Sequence, residues 1–385
     1  MEFIGRARNA RRAYSLDDIA LVPAAATIDP EDIDLSWEVG DHRFALPFLA
    51  AAMDSVVDAD VAVSLSELGA AAVLNLEGLQ TRYERPDEVL EQIAAAKPED
   101  VVQLVQRLYK VPVQDPLVAA RIEAVKARQA TCMVSMTPAA AGRLAPIAEE
   151  AGADILVIQS TIVTEHHHTS RRNAISIREL CRRARVPVMV GNCASYEAGL
   201  QLLETGAAGL FVGVGPGAAC TSRRVLGLGV PQATAIAEVA AARDAYHRQT
   251  RRYVPLVADG GIAVGGDLVK SIALGADAVM LGSALARSEE APGRGFHWGM
   301  ATPHAALPRG TRIKVGTTGT LRQILLGPAQ VDDGSQNLTE ALRTAMGMCA
   351  ARTLREMHGA ELMIAPAILT EGKAFLFAQK VGQGR

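Results

Sequence analysis

Short apolar runs alternate with longer amphipathic segments along most of the chain, from about residue 47 to residue 284. This alternation is typical of βα units that build a parallel sheet. The predicted strands, eight in number, are PFLAAAM from Pro47, AAVLNL from Ala71, TCMVSM from Thr131, ILVIQS from Ile155, VPVMVGN from Val186, GLFVGVG from Gly209, PLVADGG from Pro255 and AVMLGS from Ala278. Eight units over about 240 residues favour a (β/α)8 TIM barrel, although a doubly wound open sheet shares the pattern.

A Gly-Ala pair recurs four times where a predicted helix ends and a strand follows. The pairs are Gly69-Ala70, Gly152-Ala153, Gly206-Ala207 and Gly275-Ala276. Glycine adopts the left-handed conformation that closes a helix, so each glycine is predicted to be a helix C-cap. This repeat belongs to the scaffold.

The segments outside the barrel pattern divide a single predicted domain, residues 1–385. Residues 1–46 are interpreted as an N-terminal arm, 47–289 as the barrel core, 290–337 as a flap-like loop region rich in Gly, Pro and Thr, and 338–385 as a C-terminal helix and tail. Residues 87–129 are longer than a plain βα link, and the segments LVQRLYKV and LVAARIEAVKAR within them predict one or two extra helices. The stretch LTEALRTAMGMCAARTLREMHG predicts a helix that packs outside the barrel.

Charge and composition exclude several classes of partner. The net charge of -3 and the sequence pI near 6.3 leave no basic surplus for nucleic acid. No apolar run approaches the roughly 20 residues needed to span a bilayer, and the N-terminus lacks a secretory pattern, so we expect a cytoplasmic protein without a membrane partner. The five scattered cysteines suggest neither a disulfide framework nor a zinc site.

The segment GVGPGAACTSRRVLGLGVPQATA after the sixth strand is the strongest candidate for chemistry. Its glycines permit tight turns, and loops at the carboxyl ends of barrel strands carry the sites of such enzymes. Cys220 is therefore a candidate nucleophile, and either nearby Arg223 and Arg224 or a helix N-terminus could lower its pKa. The alternative is a small buried side chain, which is the interpretation for the other four cysteines.

The segment VADGGIAVGGDLVKSIALGADAVMLGS covers the seventh and eighth strands, where barrels often bind phosphate. Gly260, Gly261, Gly282 and Ser283 suit that task. Asp259 could accept hydrogen bonds from a ribose diol; the alternative is a loop-capping carboxylate. A phosphorylated ligand is expected.

Several of these motifs together resemble a known family. The segments YSLDDIALVPA, AAMDSV, GNCASYEAG, GVGPGAACTS, GVPQATAIAEVA, ADGGI and GGDLVKSIALGADAVMLGS occur in the order of the IMP dehydrogenase and GMP reductase superfamily. The chain is most similar to short bacterial IMP-dehydrogenase-related proteins that lack CBS domains, because no insertion of the needed size interrupts the barrel. The superfamily usually forms tetramers, so the resemblance implies a homotetramer.

The resemblance also implies roles for particular residues. Cys220 would attack purine C2 of a nucleotide monophosphate, with Ser222 in the position of the family's threonine and Asp259 holding the ribose. The other implied nucleotide contacts are Met53, Asn192, Gly217, Gly261, Gly282, Ser283, Gly299, Met300 and Gly310. The implied cofactor contacts are Gln159, Ser160 and Thr161. The carbonyls of Gly215, Gly217 and Cys220 match a K⁺ site of the dehydrogenases.

Two reactions of the family remain open, and the resemblance favours GMP reductase with NADPH. Dehydrogenases hydrolyse the covalent intermediate with an Arg-Tyr pair on a flap, and residues 290–385 contain no such pair; Arg82-Tyr83 and Arg252-Tyr253 lie elsewhere. A positioned base contributes about two to four powers of ten, so its loss slows hydrolysis. The alternatives are an IMP dehydrogenase with NAD and a silent purine-nucleotide sensor.

The chain departs from the family pattern at four positions. Ser222 replaces a threonine, Ala218 replaces a serine, and Gln159 stands where dehydrogenases have an aspartate. Arg309 aligns with the glutamate partner of the threonine, so ammonia release would need another group, such as Glu289 or Glu290. The histidines at 166–168 lie in a loop after the fourth strand. Three consecutive side chains in such a loop do not easily converge on one metal ion, and contact with the cofactor is the minority alternative to a purely structural loop.

Overall fold

We analysed a computed structural model, which describes residues 2–5, 8–167, 176–299, 311–368 and 370–379. Eight parallel strands close a barrel in which each strand pairs with the next and the last pairs with the first. They are β1 Phe48–Ala50, β2 Ala71–Asn75, β3 Met133–Met136, β4 Ile155–Gln159, β5 Val188–Cys193, β6 Gly209–Val212, β7 Leu256–Asp259 and β8 Ala278–Leu281. The predicted (β/α)8 TIM barrel and its eight strands are confirmed.

The strands read as continuous apolar runs because both faces are covered, one by the barrel interior and one by helices. Every residue of β1, β2, β3, β5, β6 and β8 is buried. In β4 and β7 only the last residue is partly exposed, and these residues are Gln159 and Asp259. The strands therefore present two polar side chains at the carboxyl end of the barrel, where sites of this fold lie.

Helices surround the barrel. Their bounds are α1 Ala59–Glu67, α2 Pro86–Ala95, α3 Val101–Leu108, α4 Asp115–Lys126, α5 Pro138–Glu150, α6 Ile177–Arg183, α7 Tyr196–Leu203, α8 Ser222–Val225, α9 Gln232–Thr250, α10 Gly265–Ala273, α11 Leu321–Leu326, α12 Leu338–Met348, α13 Leu354–Met357 and α14 Ala374–Gln379. Of the helices among the described residues, none combines the length and apolar character needed to cross a bilayer.

The predicted glycine caps are confirmed, because Gly69, Gly152, Gly206 and Gly275 all have a φ between 83° and 113°. At Gly275 a second constraint applies, since a Cβ would lie 2.5 Å from the Cβ of Ala240 on α9. Another residue at this position would strain the backbone and separate α9 from the barrel.

The extra helices predicted within residues 87–129, at LVQRLYKV and LVAARIEAVKAR, are α3 and α4, whereas α2 was not predicted. Helices α2 and α3 share a small apolar core with Trp298, which follows β8 in the chain. The third helix of this segment, α4, packs between α1 and α5 in the outer layer. The insertion therefore contacts the segment that leads into residues 300–310.

The continuous helix predicted over residues 338–359 was wrong, because the structure divides it into α12 and α13. Ala350 has a φ of 58°, and the N–H groups of Ala350 and Ala351 donate to the carbonyls of Gly347 and Met346. This is a Schellman motif with alanine in place of the usual glycine, so the sequence carries no signal for it. The expected packing outside the barrel is confirmed, since α12 lies against α10.

Short elements complete the chain. Antiparallel two-stranded pairs join Glu2–Gly5 to Arg8–Ala10, Trp37–Val39 to His42–Phe44, Ile19–Leu21 to Leu362–Ile364, and Phe296–His297 to Ile313–Lys314. The 3-10 turns are Leu16–Asp18, Pro30–Asp32, Leu79–Thr81 and Leu285–Arg287. On α10, Lys270 is half-buried and donates to the carbonyl of Leu16, 2.8 Å away.

Candidate functional site

The loop after β6 and the turn after β7 pack together at the carboxyl end of the barrel. Gly260 and Gly261 both have left-handed φ values, 89° and 79°. A Cβ on Gly260 would lie 3.0 Å from the backbone N of Gly217 and 3.0 Å from Cγ of Pro216. The two glycine-rich motifs of the sequence therefore meet, and glycine is required where they touch.

Cys220 lies in this loop with its side chain exposed. Its backbone N–H donates to the carbonyl of Gly217 at 3.0 Å, which closes a turn. The thiol donates to the hydroxyl of Ser222, 3.4 Å from Sγ, and Ser222 is buried as the first residue of α8. An accessible sulfur thus has one defined polar partner.

The other cysteines differ from Cys220 in their surroundings. Cys132 and Cys193 are buried, and burial raises the pKa of each thiol to about 12. Burial also raises the pKa of Cys181 and of Cys349. These four thiols remain protonated near neutral pH, as expected of structural cysteines.

Asp259 at the end of β7 accepts hydrogen bonds from Asn192 on β5 and Gln159 on β4. Its Oδ2 accepts from Nδ2 of Asn192 at 2.7 Å and from Nε2 of Gln159 at 2.9 Å. The same Gln159 nitrogen lies 2.9 Å from Oδ1 of Asn192, and Asn192 Nδ2 also donates to the carbonyl of Gly213. Burial raises the pKa of Asp259 to about 6, and the two amide donors oppose that rise.

The predicted phosphate residues lie at the ends of β7 and β8. Gly282 follows β8, and a Cβ there would be 3.3 Å from Sδ of Met53, so these two predicted contacts are neighbours. Ser283 Oγ lies 2.9 Å from Nε2 of His297. The sequence analysis missed His297, because a single histidine in a loop carries no pattern.

His297 is buried and neutral. Burial, together with the charge of Arg287, lowers its pKa to about 4. Its Nδ1 is buried without a hydrogen-bond partner among the described residues. A buried donor without a partner is costly, so the favoured tautomer carries the proton on Nε2 and donates to Ser283. The hydroxyl proton of Ser283 is then free for an anion.

A second group of contacts that the sequence did not reveal involves Trp298, the residue before Gly299. Trp298 Nε1 donates to the hydroxyl of Tyr109 at 2.9 Å, and that hydroxyl donates to Oδ2 of Asp54 at 2.6 Å. Asp54 belongs to the AAMDSV motif, and Tyr109 follows α3. These bonds fix the backbone just before Gly299; Met300, Arg309 and Gly310 lie outside the described residues.

The predicted cation and cofactor residues lie at or after the carboxyl ends of β6 and β4. Gly215 has a φ of 85°, and a Cβ on it would lie 2.9 Å from Cγ of Arg223. Ser160 continues the pairing of β4 with β5, because its N–H donates to the carbonyl of Gly191. Thr161 follows it and is partly exposed.

The two Arg-Tyr pairs of the sequence are engaged in structural contacts. Arg82 donates to the carbonyls of Glu77 and Val111, and Tyr83 donates to the carbonyl of Leu108. The other pair lies at the amino end of the barrel, where Tyr253 donates to Asp277. Neither pair belongs to the flap-like region.

Glu289 and Glu290, the carboxylates suggested as aids to ammonia release, differ in whether they already accept a hydrogen bond from a described residue. Glu290 accepts from the backbone N–H of Leu321 at 2.9 Å and so caps α11. Glu289 is exposed. No group of three metal-ligating side chains occurs within the described ranges, which include His166 and His167 but not His168.

Comparisons with known proteins agree with the architecture and the motifs. The family described as IMP dehydrogenase / GMP reductase domain matches residues 13–374. An uncharacterized oxidoreductase of Mycolicibacterium smegmatis is 38% identical, over 94% of this chain and 99% of the relative. An inosine-5'-monophosphate dehydrogenase of Methanocaldococcus jannaschii is 28% identical, over 92% of this chain and 93% of the relative.

A solved structure is similar over nearly the whole chain. It is an IMP dehydrogenase/GMP reductase-like protein from Corynebacterium glutamicum, with a TM-score of 0.89 and 36% identity, covering 94% of this chain and 96% of that chain. The family match spans most of the chain, including the motifs around Cys220 and Asp259. The chain therefore belongs to the IMP dehydrogenase/GMP reductase family and is an oxidoreductase of that family.

Proposed function

We propose that this oxidoreductase is a GMP reductase, which converts GMP and NADPH to IMP, ammonia and NADP⁺ through a covalent adduct on Cys220. The choice of reaction rests on where the Arg-Tyr pairs lie and on what their side chains contact. The flap-like region has none, and the side chains of Arg82-Tyr83 and Arg252-Tyr253 are bound to carbonyls or carboxylates elsewhere. Without such a pair, hydrolysis of the adduct lacks its base.

The family implies a nicotinamide dinucleotide and a purine nucleotide substrate. The residues after β4 suit the dinucleotide, because Thr161 offers a partly exposed hydroxyl and Ile162 has an exposed apolar side chain of the kind that a flat ring covers. When bound, the reduced nicotinamide supplies a hydride. The choice of NADPH over NADH belongs to the proposal.

The nucleotide is oriented by groups at three strand ends. Asp259 accepts hydrogen bonds from the ribose diol through Oδ1, since Oδ2 already accepts from two amides. The phosphate receives N–H groups at Gly261 and Gly282 and the hydroxyl of Ser283. The base lies over Cys220, with Met53, Gly217, Asn192, Gly299, Met300 and Gly310 as the remaining predicted nucleotide contacts.

The reaction proceeds in two stages at purine C2. The sulfur of Cys220 adds to C2, the thiol proton passes through Ser222 to the amino group, and the C–N bond breaks to release ammonia. Hydride then adds to C2, the C–S bond breaks, and the thiolate takes a proton from water. The 3.4 Å contact between its hydroxyl and Sγ supports this role of Ser222 in the first stage.

Two further parts of the proposal concern the loop and the assembly. Each backbone carbonyl has two lone pairs, so Gly217 can accept from Cys220 N–H and still join Gly215 and Cys220 around K⁺. We also propose a cytoplasmic homotetramer. Exposed apolar side chains near the C-terminus, Met363, Ile364 and Phe375, support burial against another copy.

The test is the nicotinamide absorbance band with purified protein, comparing GMP plus NADPH with IMP plus NAD⁺, each with and without K⁺. Loss of NADPH only with GMP is expected. The second candidate, IMP dehydrogenase, is favoured by the name of the Methanocaldococcus jannaschii relative and predicts NADH formation with IMP. Turnover in neither direction, with nucleotide binding kept, would indicate a sensor.

A further inference from the structure

The side-chain amide of Gln159 makes its polar contacts with residues of two other barrel strands, Asp259 and Asn192. Its Nε2 is 2.9 Å from Oδ2 of Asp259 and 2.9 Å from Oδ1 of Asn192. A third, weaker contact is with Sδ of Met280, 3.9 Å away on β8. The amide of Gln159 thus links the ends of β4, β5 and β7.

The orientation of this amide follows from the chemistry of its partners. Turning it by 180° would place its oxygen against the carboxylate of Asp259 and the carbonyl oxygen of Asn192, so that acceptors would face acceptors. Asn192 is fixed in the same way, since its Nδ2 donates both to Asp259 and to the carbonyl of Gly213. The network has one consistent arrangement of donors.

This arrangement treats the two oxygens of Asp259 differently. Oδ2 accepts from both amides, whereas none of the described residues donates to Oδ1. A carboxylate with one oxygen held and the other available is oriented to accept hydrogen bonds from a ligand. Its neighbours are Gln159 on β4, Asn192 on β5, Gly213 just after β6 and Met280 on β8, and none of these titrates.

A neutral side chain at position 159 is required for this role. A carboxylate there would face Asp259 across a contact of hydrogen-bond length, and two such groups ionise together only at a large energetic cost. They would share a proton at neutral pH, which would reduce the negative charge on Asp259 and weaken Oδ1 as an acceptor. The nearby ionisable side chains that follow β6, Cys220, Arg223 and Arg224, do not contribute to the pKa shift of Asp259.

We propose that Gln159 is a positioning residue for the ribose of the purine nucleotide, acting through Asp259, and is not a cofactor contact. The inference rests on the proposed function, because it takes the ribose to bind Asp259. It replaces the role in cofactor binding that the resemblance implies for this position. The neutral amide keeps Asp259 ionised over the pH range in which the nucleotide binds.

The test compares GMP affinity, by calorimetry from pH 5.5 to 9, for the unmodified protein, Gln159→Glu and the matched control Gln201→Glu. Gln201 is exposed on α7, so its substitution makes the same charge change on the outside of the barrel. We expect Gln159→Glu to weaken GMP binding at pH 8 by at least about tenfold, the equivalent of one pKa unit. The deficit should shrink as the pH falls, and the control should follow the unmodified protein.

Gln159→Met is a second variant that keeps the length of the side chain and removes the donor. Without that hydrogen bond the pKa of Asp259 rises, so the pH below which GMP affinity falls should move upward. This shift distinguishes positioning from a general loss of stability, and it decides the matter if the glutamate variant fails to fold.

Three results separate the possible failures. Unchanged GMP affinity and pH profile in both variants, with weaker NADPH binding, would overturn the inference and return Gln159 to the cofactor. Equal losses in Gln159→Glu and Gln201→Glu would also overturn it. Absence of GMP and IMP binding by the unmodified protein would overturn the proposed function, and the inference with it.

Discussion

The thiol of Cys220 donates to the hydroxyl of Ser222 across 3.4 Å, and the two side chains differ in exposure. The sulfur is exposed and can reach a ligand, whereas the hydroxyl is buried at the start of α8 and stays in place. An exposed nucleophile beside a buried hydroxyl is suited to proton transfer during departure of a group from the carbon that the sulfur attacks.

Ser222→Ala should therefore lower kcat for GMP by about a hundredfold, within the range for a positioned acid or base. GMP affinity should be unchanged, because the hydroxyl contacts the sulfur and not the expected ribose or phosphate groups. Ser222→Thr keeps the hydroxyl and is the control. Single-turnover kinetics measure the effect; equal kcat values for the alanine variant and the unmodified protein would exclude a role for Ser222 in the chemistry.

The pKa of Asp259, raised by burial to about 6, predicts a pH dependence of nucleotide binding. The carboxylate accepts from the ribose diol only when ionised, so GMP affinity should fall as the pH decreases through about 6. The phosphate of GMP titrates in the same range. Asp259→Asn is the control, since its profile contains the phosphate contribution alone. Identical acid limbs for the two proteins, measured by calorimetry, would contradict the assignment.

The contact between the two glycine-rich motifs predicts that Gly260→Ala destabilises the protein. Its φ of 89° costs a residue with a Cβ about 1–3 kcal/mol, and the Cβ would lie 3.0 Å from the Gly217 backbone. Gly266→Ala, on α10 with nothing within 4 Å, is the matched control. It should be neutral or stabilise by about 0.5 kcal/mol. Thermal unfolding gives both values, and similar shifts would disprove the contact.

His297 should contribute to phosphate binding through Ser283. His297→Leu removes the donor to Ser283 Oγ, which leaves that hydroxyl free to turn away from the ligand. We expect the variant to bind GMP about five- to tenfold more weakly than the unmodified protein does, equivalent to about one hydrogen bond. Guanosine, which has no phosphate, should bind equally well to both proteins. Competition binding with both ligands measures the difference; equal losses for both would place the effect outside the phosphate site.

A substitution at the amino end of the barrel should change the free energy of unfolding without changing nucleotide binding. Arg243 is buried and pairs with Asp277 at 3.1 Å, beside the hydroxyl of Tyr253. Arg243→Met leaves Asp277 buried without its charge partner, which costs about 3–5 kcal/mol. Denaturant unfolding should show this loss, while GMP affinity of the folded variant stays the same. A loss of affinity without a loss of stability would contradict the structural assignment.

The strands and the four glycine caps could be predicted because each leaves a local signal, such as an apolar run or a glycine before a strand. The break at Ala350 could not, because alanine occupies a left-handed position that is usually filled by glycine. The roles of His297 and Tyr109 also escaped sequence reasoning. Each depends on a contact between residues far apart in the chain, Ser283 with His297 and Asp54 with Tyr109.

The contacts of Asp259 could not be predicted from the sequence either, although the residue lies within a predicted motif. The sequence identified the carboxylate as a strand-end residue, but it did not show that Gln159 and Asn192 would both donate to one of its oxygens. Parallel strands bring their carboxyl ends together, yet which side chains meet depends on the register between strands. Such contacts require the structure.

The most direct test of the proposed reaction is the mass of the intact protein after acid quenching of a mixture with GMP and no NADPH. The account predicts a mass increase equal to GMP less one ammonia, located on the peptide of Cys220, an equal amount of free ammonia, and neither product with Cys220→Ala. Unmodified protein with bound GMP, together with a Cys220 adduct formed from IMP and NAD⁺, would contradict the account and establish the dehydrogenase direction.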